Sequence, residues 1–268
     1  MVLTSKKVTF DEQAKTFETR TGLSGATCQA IVKTALNLAQ IKPGDSLVEV
    51  GAGTGQIGQW FAPESVNYLG FDLSEAMLAE FHQHLENPRD NFQIVQGDAN
   101  QDWPVADGSA NLIFSSRTLH LLNLQQVVQE SWRIANPERS VVLMGNVQRQ
   151  KNSVKNQMRD QMQSLLVQNT LQGRKKNQLI RKLIDLFAQH GAQVIEPVEV
   201  SRWQVVNTPR QSLESWREKA HLAGIELANE IKQDVLDRLQ IWAEDKFGGL
   251  DQPIKSEETY ILQGVRLN

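Results

Sequence analysis

Leu47-Val48-Glu49-Val50-Gly51-Ala52-Gly53-Thr54-Gly55-Gln56-Ile57-Gly58 is the stretch that organises the reading of the chain. A β-branched apolar run climbs into three alternating glycines and leaves with a helix-like apolar spacing. A strand that turns on glycines lets backbone approach a ligand closely, because no Cβ stands in the way. If a helix follows, its first N–H groups lack intrahelical partners and point at that ligand.

Working outward from this turn, Pro43-Gly44-Asp45 marks a tight turn before a strand over Ser46–Val50. Before it, Cys28, Ile31, Val32, Ala35, Leu36 and Ala39 predict a helix over 26–40. Residues 1–21 are mainly polar, with Phe10 and Phe17, and predict an arm or short helix. After the glycines, Ile57–Phe61 reads as a short helix ending before Pro63. Tyr68–Phe71 is a second strand closed by Asp72, and Ser74 caps a helix carrying Ala76, Met77, Leu78, Ala79 and Phe81. Phe92–Val95 is a third strand ending at Gly97-Asp98-Ala99, and Leu112–Phe114 is a fourth that runs into Ser115-Ser116. A helix over Leu124–Ile134 and a strand over Ser140–Val147 follow.

The second half is less regular. Met158, Met162, Leu165 and Leu166 give helical spacing within 150–172, and Leu179, Leu183, Leu186 and Phe187 form another helix stopped by Gly191. Val194–Val206 is a strand whose Pro197 implies an edge or a bulge. Thr208-Pro209 opens a helix to about Leu222, a longer helix carries Leu227 to Trp242, and a strand over Glu258–Leu267 closes the chain.

Strands alternating with helices at this spacing predict an α/β fold: a doubly wound, mainly parallel, seven-stranded Rossmann-like sheet. With no repeat and no linker composition, residues 1–268 read as one domain. Its core spans about 26–147, a helical cap comes from 1–25, 150–180 and 208–248, and closing strands span about 194–206 and 258–267. Ligands in such sheets bind beyond the carboxyl ends of the strands at the topological switch point. Gly51–Gly55, Asp72, Asp98 and Ser115 all fall at such ends.

Composition narrows the function classes. The chain has 268 residues, 40% hydrophobic, with a formal charge of -3, which gives no global attraction for nucleic acid or an anionic membrane. Its one cysteine, Cys28, sits in an apolar helical pattern and makes neither an internal disulfide nor a metal cluster. The opening residues lack the apolar run of a secretory signal, and no apolar stretch approaches a membrane span, so a cytoplasmic protein without a metal site is expected. Arg149, Lys151 and Lys155, then Arg174, Lys175, Lys176, Arg181 and Lys182, form a basic region. It reads as recognition of an anionic substrate, as an RNA contact, or, more simply, as a solvated helix face.

Two cofactors compete for the glycine turn. Gly53-Thr54-Gly55-Gln56-Ile57-Gly58 fits the dinucleotide pattern, with Asp72 placed to grip ribose hydroxyls. Three features favour S-adenosylmethionine. Glu49, a carboxylate within the strand, suits a cationic methionyl end better than a pyrophosphate. Asp98 in Gln96-Gly97-Asp98-Ala99 can accept from an adenine amino group, and no second βαβαβ half of the nicotinamide type follows. A NAD(P)-dependent oxidoreductase and a non-catalytic S-adenosylmethionine binder are the alternatives.

Val48–Gly55, Gly70-Phe71-Asp72-Leu73-Ser74-Glu75-Ala76-Met77-Leu78 and Gly97-Asp98-Ala99, in this order, resemble the class I S-adenosylmethionine-dependent methyltransferases. Within that class the series is similar to the small-molecule group that includes the quinone-biosynthesis methyltransferases, over about residues 45–147. The resemblance implies methyl transfer to a small-molecule acceptor. It passes the backbone of Gly51, Gly53 and Gly55 under the methionine moiety, puts Asp72 on the ribose, and leaves Glu49, Ala52 and Gln56 among the cofactor-binding residues. Leu73 and Met77 would sandwich the adenine, Asp98 and the Ala99 backbone would read its edge, and the Ser115 carbonyl would receive the methionine amino group. Arg117 and His120 follow the fourth strand, where the family meets its acceptor, and His120 is a candidate base. Structural readings stand beside these: Asp72 as a helix cap, Met77 as core, Asp98 as a turn residue, and His120 as a packing and capping group. Trp203, Trp216, Trp242 and Phe247 line a pocket under a lid or form the core of the late helices.

Overall fold

The computed structural model describes residues 22–85, 89–171, 173, 176–219 and 221–267, and the side chains of all of these except His120, residues 176–178 and His221. The apolar run at 47–50 forms a strand because it is covered on both faces, and every residue of Ser46–Val50 (β1) after Ser46 is buried. β1 pairs in parallel with Asn67–Asp72 (β2) on one side and Leu112–Ser116 (β4) on the other. Glu49 therefore lies opposite Gly70 in one neighbour and Phe114 in the other. Phe92–Gln96 (β3) extends the sheet beyond β2, and Ser140–Arg149 (β5) extends it beyond β4. The complete order is β3-β2-β1-β4-β5-β9-β6, with β6 at Gln193–Asn207 and β9 at Ile254–Leu267. The chain builds outward from β1 to β3 and then returns to β4, so the switch point lies between β1 and β4. This is the expected seven-stranded, mainly parallel α/β sheet.

Flanking helices follow from local caps. Gly25–Leu38 (α1) starts at Ser24, whose hydroxyl accepts from the Thr27 amide, and it buries Cys28, Ile31, Val32 and Ala35. Glu75–Gln83 (α2) starts at Ser74 in the same manner, and Leu124–Ile134 (α3) is capped by Asn123. Lys176–Gln189 (α5) contributes Leu183 and Phe187 to a core with Val48, Phe71, Ile113 and Val142. An aromatic group of Phe61, Tyr68, Phe81 and Phe92 joins β2, β3 and α2, with Tyr68 stacked on Phe92 at 4.1 Å between ring centroids.

The chain divides into two compact units: residues 1–146, 178–201 and 261–268, and residues 147–177 and 202–260. Strands β5, β6 and β9 contribute residues to both. The second unit has its own core, in which Val154–Gln168 (α4) presents Met158, Met162 and Leu166 toward Leu213 of Pro209–Arg217 (α6) and Val235 and Leu239 of Asn229–Phe247 (α7). Trp216, Trp242 and Phe247 pack against this core. No helix among the described residues is long and apolar enough to cross a membrane.

Three local expectations change. The helix-like segment after the glycines is a four-residue 3-10 turn, Gly58–Phe61. The helix opening at Thr208 ends at Arg217, and a hairpin of His221–Leu222 (β7) and Ile225–Glu226 (β8) replaces its last turn. Its two-residue loop, Ala223-Gly224, has positive φ at both positions, a geometry that fits a tight hairpin and excludes helix. The last strand begins at Ile254, four residues before the expected start at Glu258. The N-terminal arm, with Phe10 and Phe17, lies outside the described residues.

Gly264 on β9 has no room for a side chain, since an added Cβ would sit 1.8 Å from the Val142 carbonyl oxygen on β5. We expect Gly264→Ala to cost about 2–3 kcal/mol or more, read as a lower urea midpoint. An unchanged midpoint would mean that these strands do not approach so closely.

Candidate functional site

The turn after β1 is held by the end of β2. The Phe71 carbonyl accepts from both the Gly51 and Ala52 amides, at 2.9 and 3.0 Å. Asp72 Oδ2 accepts from the Gly53 amide at 3.0 Å, and its Oδ1 accepts from Ser74 at 2.9 Å. The Gly55 amide donates to the Ala52 carbonyl. Four amides of the turn are therefore satisfied within the protein. The expectation that unpaired helix N–H groups face a ligand is corrected: these amides are engaged, and no α-helix follows them.

Gly51, Gly53 and Gly55 all have positive φ, but their surroundings differ. A Cβ on Gly51 would meet Thr118 at 2.3 Å, and one on Gly55 would meet the Phe81 ring at 2.0 Å. A Cβ on Gly53 would meet nothing within 4 Å. The turn is thus packed from behind at its two ends and open at its middle.

Glu49 is 3% exposed, and the Tyr68 hydroxyl donates to its Oε2 at 2.5 Å. The contact depends on glycines. Tyr68 and Gly70 point to one face of β2, and the phenol leans across Gly70, where a Cβ would lie 2.6 Å from the hydroxyl. A Cβ on Gly58 would lie 2.6 Å from both Glu49 Oε2 and the Tyr68 hydroxyl. Burial pushes the Glu49 carboxyl up to about 8, the Asp72 charge acts in the same direction, and the Tyr68 hydrogen bond and the Arg117 charge oppose them.

Arg117, just past β4, takes a left-handed φ of 64°. Its amide donates to the Gly145 carbonyl, and its Nη2 donates to Gln56 Oε1 at 3.0 Å. The buried Ser115 hydroxyl donates to the Val50 carbonyl at 2.8 Å and fastens the carboxyl ends of β1 and β4 to each other. Half-exposed Asp98 takes the turn geometry, its Oδ1 accepting from the Asn100 amide. The buried Ala99 carbonyl accepts from Trp103 Nε1. Met77 is buried and Leu73 is half-exposed. His120 lies in a 3-10 turn, and its side chain is outside the described ones.

The structure thus gathers Glu49, the glycine turn, Gln56, Asp72, Ser115 and Arg117 around the ends of β1, β2 and β4. The sequence reading missed Tyr68, Thr118 and Phe81, which fix this geometry from behind. Gly70 was the available signal, because a glycine inside a buried strand marks close approach by another group. Among the described residues, no group of three or more His, Cys, Asp or Glu side chains is placed to hold a metal ion.

Residues 47–138 match a family described as a methyltransferase domain. A sterol methyltransferase-like protein of Botryococcus braunii is 30% identical over 105 residues, 38% of this chain and 27% of that protein. The matches span about a third of the length of the curated relatives. A Bacillus halodurans protein described as a methyltransferase shares the fold with a TM-score of 0.56 at 19% identity, over 88% of this chain and 97% of its own. A Haemonchus contortus phosphoethanolamine N-methyltransferase, solved with S-adenosylhomocysteine and phosphomonomethylethanolamine, gives a TM-score of 0.50 at 15% identity, over 96% of this chain and 60% of its own.

The Glu49 environment has a measurable consequence. The folded state keeps a proton on this carboxyl up to about pH 8, whereas the unfolded chain releases it near 4.5. The folded state therefore binds more protons across that window, and the contribution of Glu49 to stability is full below it and falls as pH rises through it. Thermal unfolding of wild type and Glu49→Gln from pH 5 to 8 should show a decline in wild type that the variant lacks. Parallel profiles would contradict the buried protonated state.

Proposed function

We propose that this chain, whose residues 47–138 form a class I S-adenosylmethionine-dependent methyltransferase domain, transfers a methyl group to a small-molecule acceptor in the cytoplasm. The observation that carries the cofactor assignment is the internal pairing of the glycine-turn amides. A pyrophosphate is held by open backbone amides at an α-helix start, whereas here the Gly51, Ala52, Gly53 and Gly55 amides are paired and the turn leads into a 3-10 helix. It offers carboxylates on both flanks and an open backbone surface at Gly53, which suits a cofactor with an ammonium group and a ribose diol. A nicotinamide reading fits less well for the same reason.

Glu49, two residues before the turn, supplies a buried acceptor for a cationic methionyl end. Its proton leaves as that cation arrives, since an opposite charge favours the ionised form. Asp72 would take the ribose hydroxyls: each of its oxygens accepts one backbone amide and retains a further lone pair. Leu73, Met77, Asp98 and Ala99 form the proposed adenine side, and Ser115 offers its carbonyl to the amino group. When bound, S-adenosylmethionine supplies an electrophilic methyl on a sulfonium centre. Transfer of such a methyl depends mainly on proximity and alignment of the acceptor, so the chain's task is chiefly positioning. Arg117, fixed to Gln56 and strained at its backbone, stands at the end of β4 as a candidate for orienting the acceptor. We assign acceptor selection to residues 147–177 and 202–260, which form the unit lying outside the matched domain.

Calorimetric titration with S-adenosylhomocysteine should show saturable binding, and S-adenosylmethionine but not NAD should raise the melting temperature. Asp72→Ala should weaken the binding by roughly 10–100-fold, the worth of hydrogen bonds to a charged group. An absence of binding at millimolar S-adenosylhomocysteine would overturn the assignment.

A further inference from the structure

Within the second unit, two cationic side chains meet at one buried carboxylate, and a third stands beside them. Glu258 on β9 is 4% exposed and accepts from Arg149 Nε at 2.7 Å. Lys155 Nζ approaches the same oxygen at 3.9 Å, too far for a hydrogen bond. Arg159 lies one helical turn beyond Lys155 on α4 and within electrostatic range of Arg149. Two cations against one carboxylate leave one positive charge in excess at Glu258. Exposed Asp160 acts on exposed Arg159, and Glu257 is engaged by Arg202 and the Gln150 side-chain amide.

The arrangement costs stability in three ways. Lys155 and Arg159 are a like-charge pair at i and i+4, which weakens a helix. Lys155 stands in the first turn of α4, the positive end of the helix, with no acidic residue there to offset it. Its ammonium is partly buried without a hydrogen-bond partner among the described residues; burial pushes its pKa down, Arg149 and Arg159 act in the same direction, and Glu258 opposes them. The terminal nitrogens of Arg149 also make no protein hydrogen bond among the described residues. A solvated helix face would not bring Arg149 and Lys155 to one buried oxygen; Arg159 beside them is exposed.

A bound anion would offset these costs. A planar guanidinium edge suits two oxygens of one phosphoryl group, and the ammonium adds a point charge beside it. The cations converge on one point instead of lining a track, so they suit a single phosphoryl group better than an RNA backbone, which is followed by a groove with stacking aromatics. We propose that Arg149 and Lys155, with Arg159 beside them, form a binding site for the phosphoryl group of a small molecule.

The test is calorimetric titration of the full chain at low ionic strength with inorganic phosphate and with pyrophosphate. Saturable binding is expected, tighter for pyrophosphate. Arg149→Gln with Lys155→Gln should weaken it by about tenfold or more while leaving S-adenosylhomocysteine affinity unchanged. Glu258→Gln removes the competing carboxylate and should tighten phosphate binding, whereas a purely structural ion pair would gain nothing. Should that variant or the double variant fail to fold, Lys155→Met alone, which leaves the Arg149–Glu258 contact in place, should still weaken the binding. An absence of saturable anion binding, binding indifferent to Lys155, or capture of single-stranded RNA that pyrophosphate does not displace would each overturn the proposal. Loss of S-adenosylhomocysteine binding would bear on the methyl-transfer reading and not on this site.

Discussion

Three consecutive amide protons of the glycine turn, those of Gly51, Ala52 and Gly53, are donated to the last two residues of β2. This is the constraint on which the site depends. A run of glycines has high conformational freedom in the unfolded chain, and without such bonds the turn would not keep one shape. The lacing continues outward, because the Gly97 amide donates to the Asp72 carbonyl and the Gln96 side chain donates to the Leu73 carbonyl. The loops after β1, β2 and β3 are therefore one hydrogen-bonded assembly. A ligand bound at this turn would meet a surface already in place, which reduces the ordering cost of binding.

Behind that surface stands the Glu49–Tyr68 pair. A buried carboxyl is expensive, and an apolar residue of similar size would pack in its place without the desolvation penalty. The chain instead keeps glycine at 58 and 70 to make room for the pair. A perturbed acid beside an open turn is the pattern on which the proposal for Glu49 rests.

Much of the fold was legible because its signals are local. Apolar runs, Ser74 as a cap and the turn at Pro43-Gly44 each act within a few residues. Pro197 left an edge or a bulge open for its strand, and the strand order puts it at the edge. What escaped depends on partners distant in sequence. Tyr68 reaches Glu49 only because parallel register sets Glu49 against Gly70, and Phe81 lies behind Gly55 only after α2 docks on the sheet. The two-unit division escaped for a further reason: β5, β6 and β9 lend residues to both units, so no change in composition marks the boundary. Of the basic region that the sequence left between an anion site and a solvated face, Arg149 and Lys155 meet at Glu258, which lies 109 residues from Arg149 in sequence.

The sheet ends at β6, a 15-residue strand with one neighbour. A long free edge is a template on which further chains can pair. This one carries exposed Glu196, Pro197, Glu199 and Arg202, and its apolar exposures, Val194 and Val206, stand near opposite ends. Proline removes a donor from the edge, and charges of both signs make the approach of another strand costly to desolvate. The native protein is thereby guarded against cross-β growth along that flank.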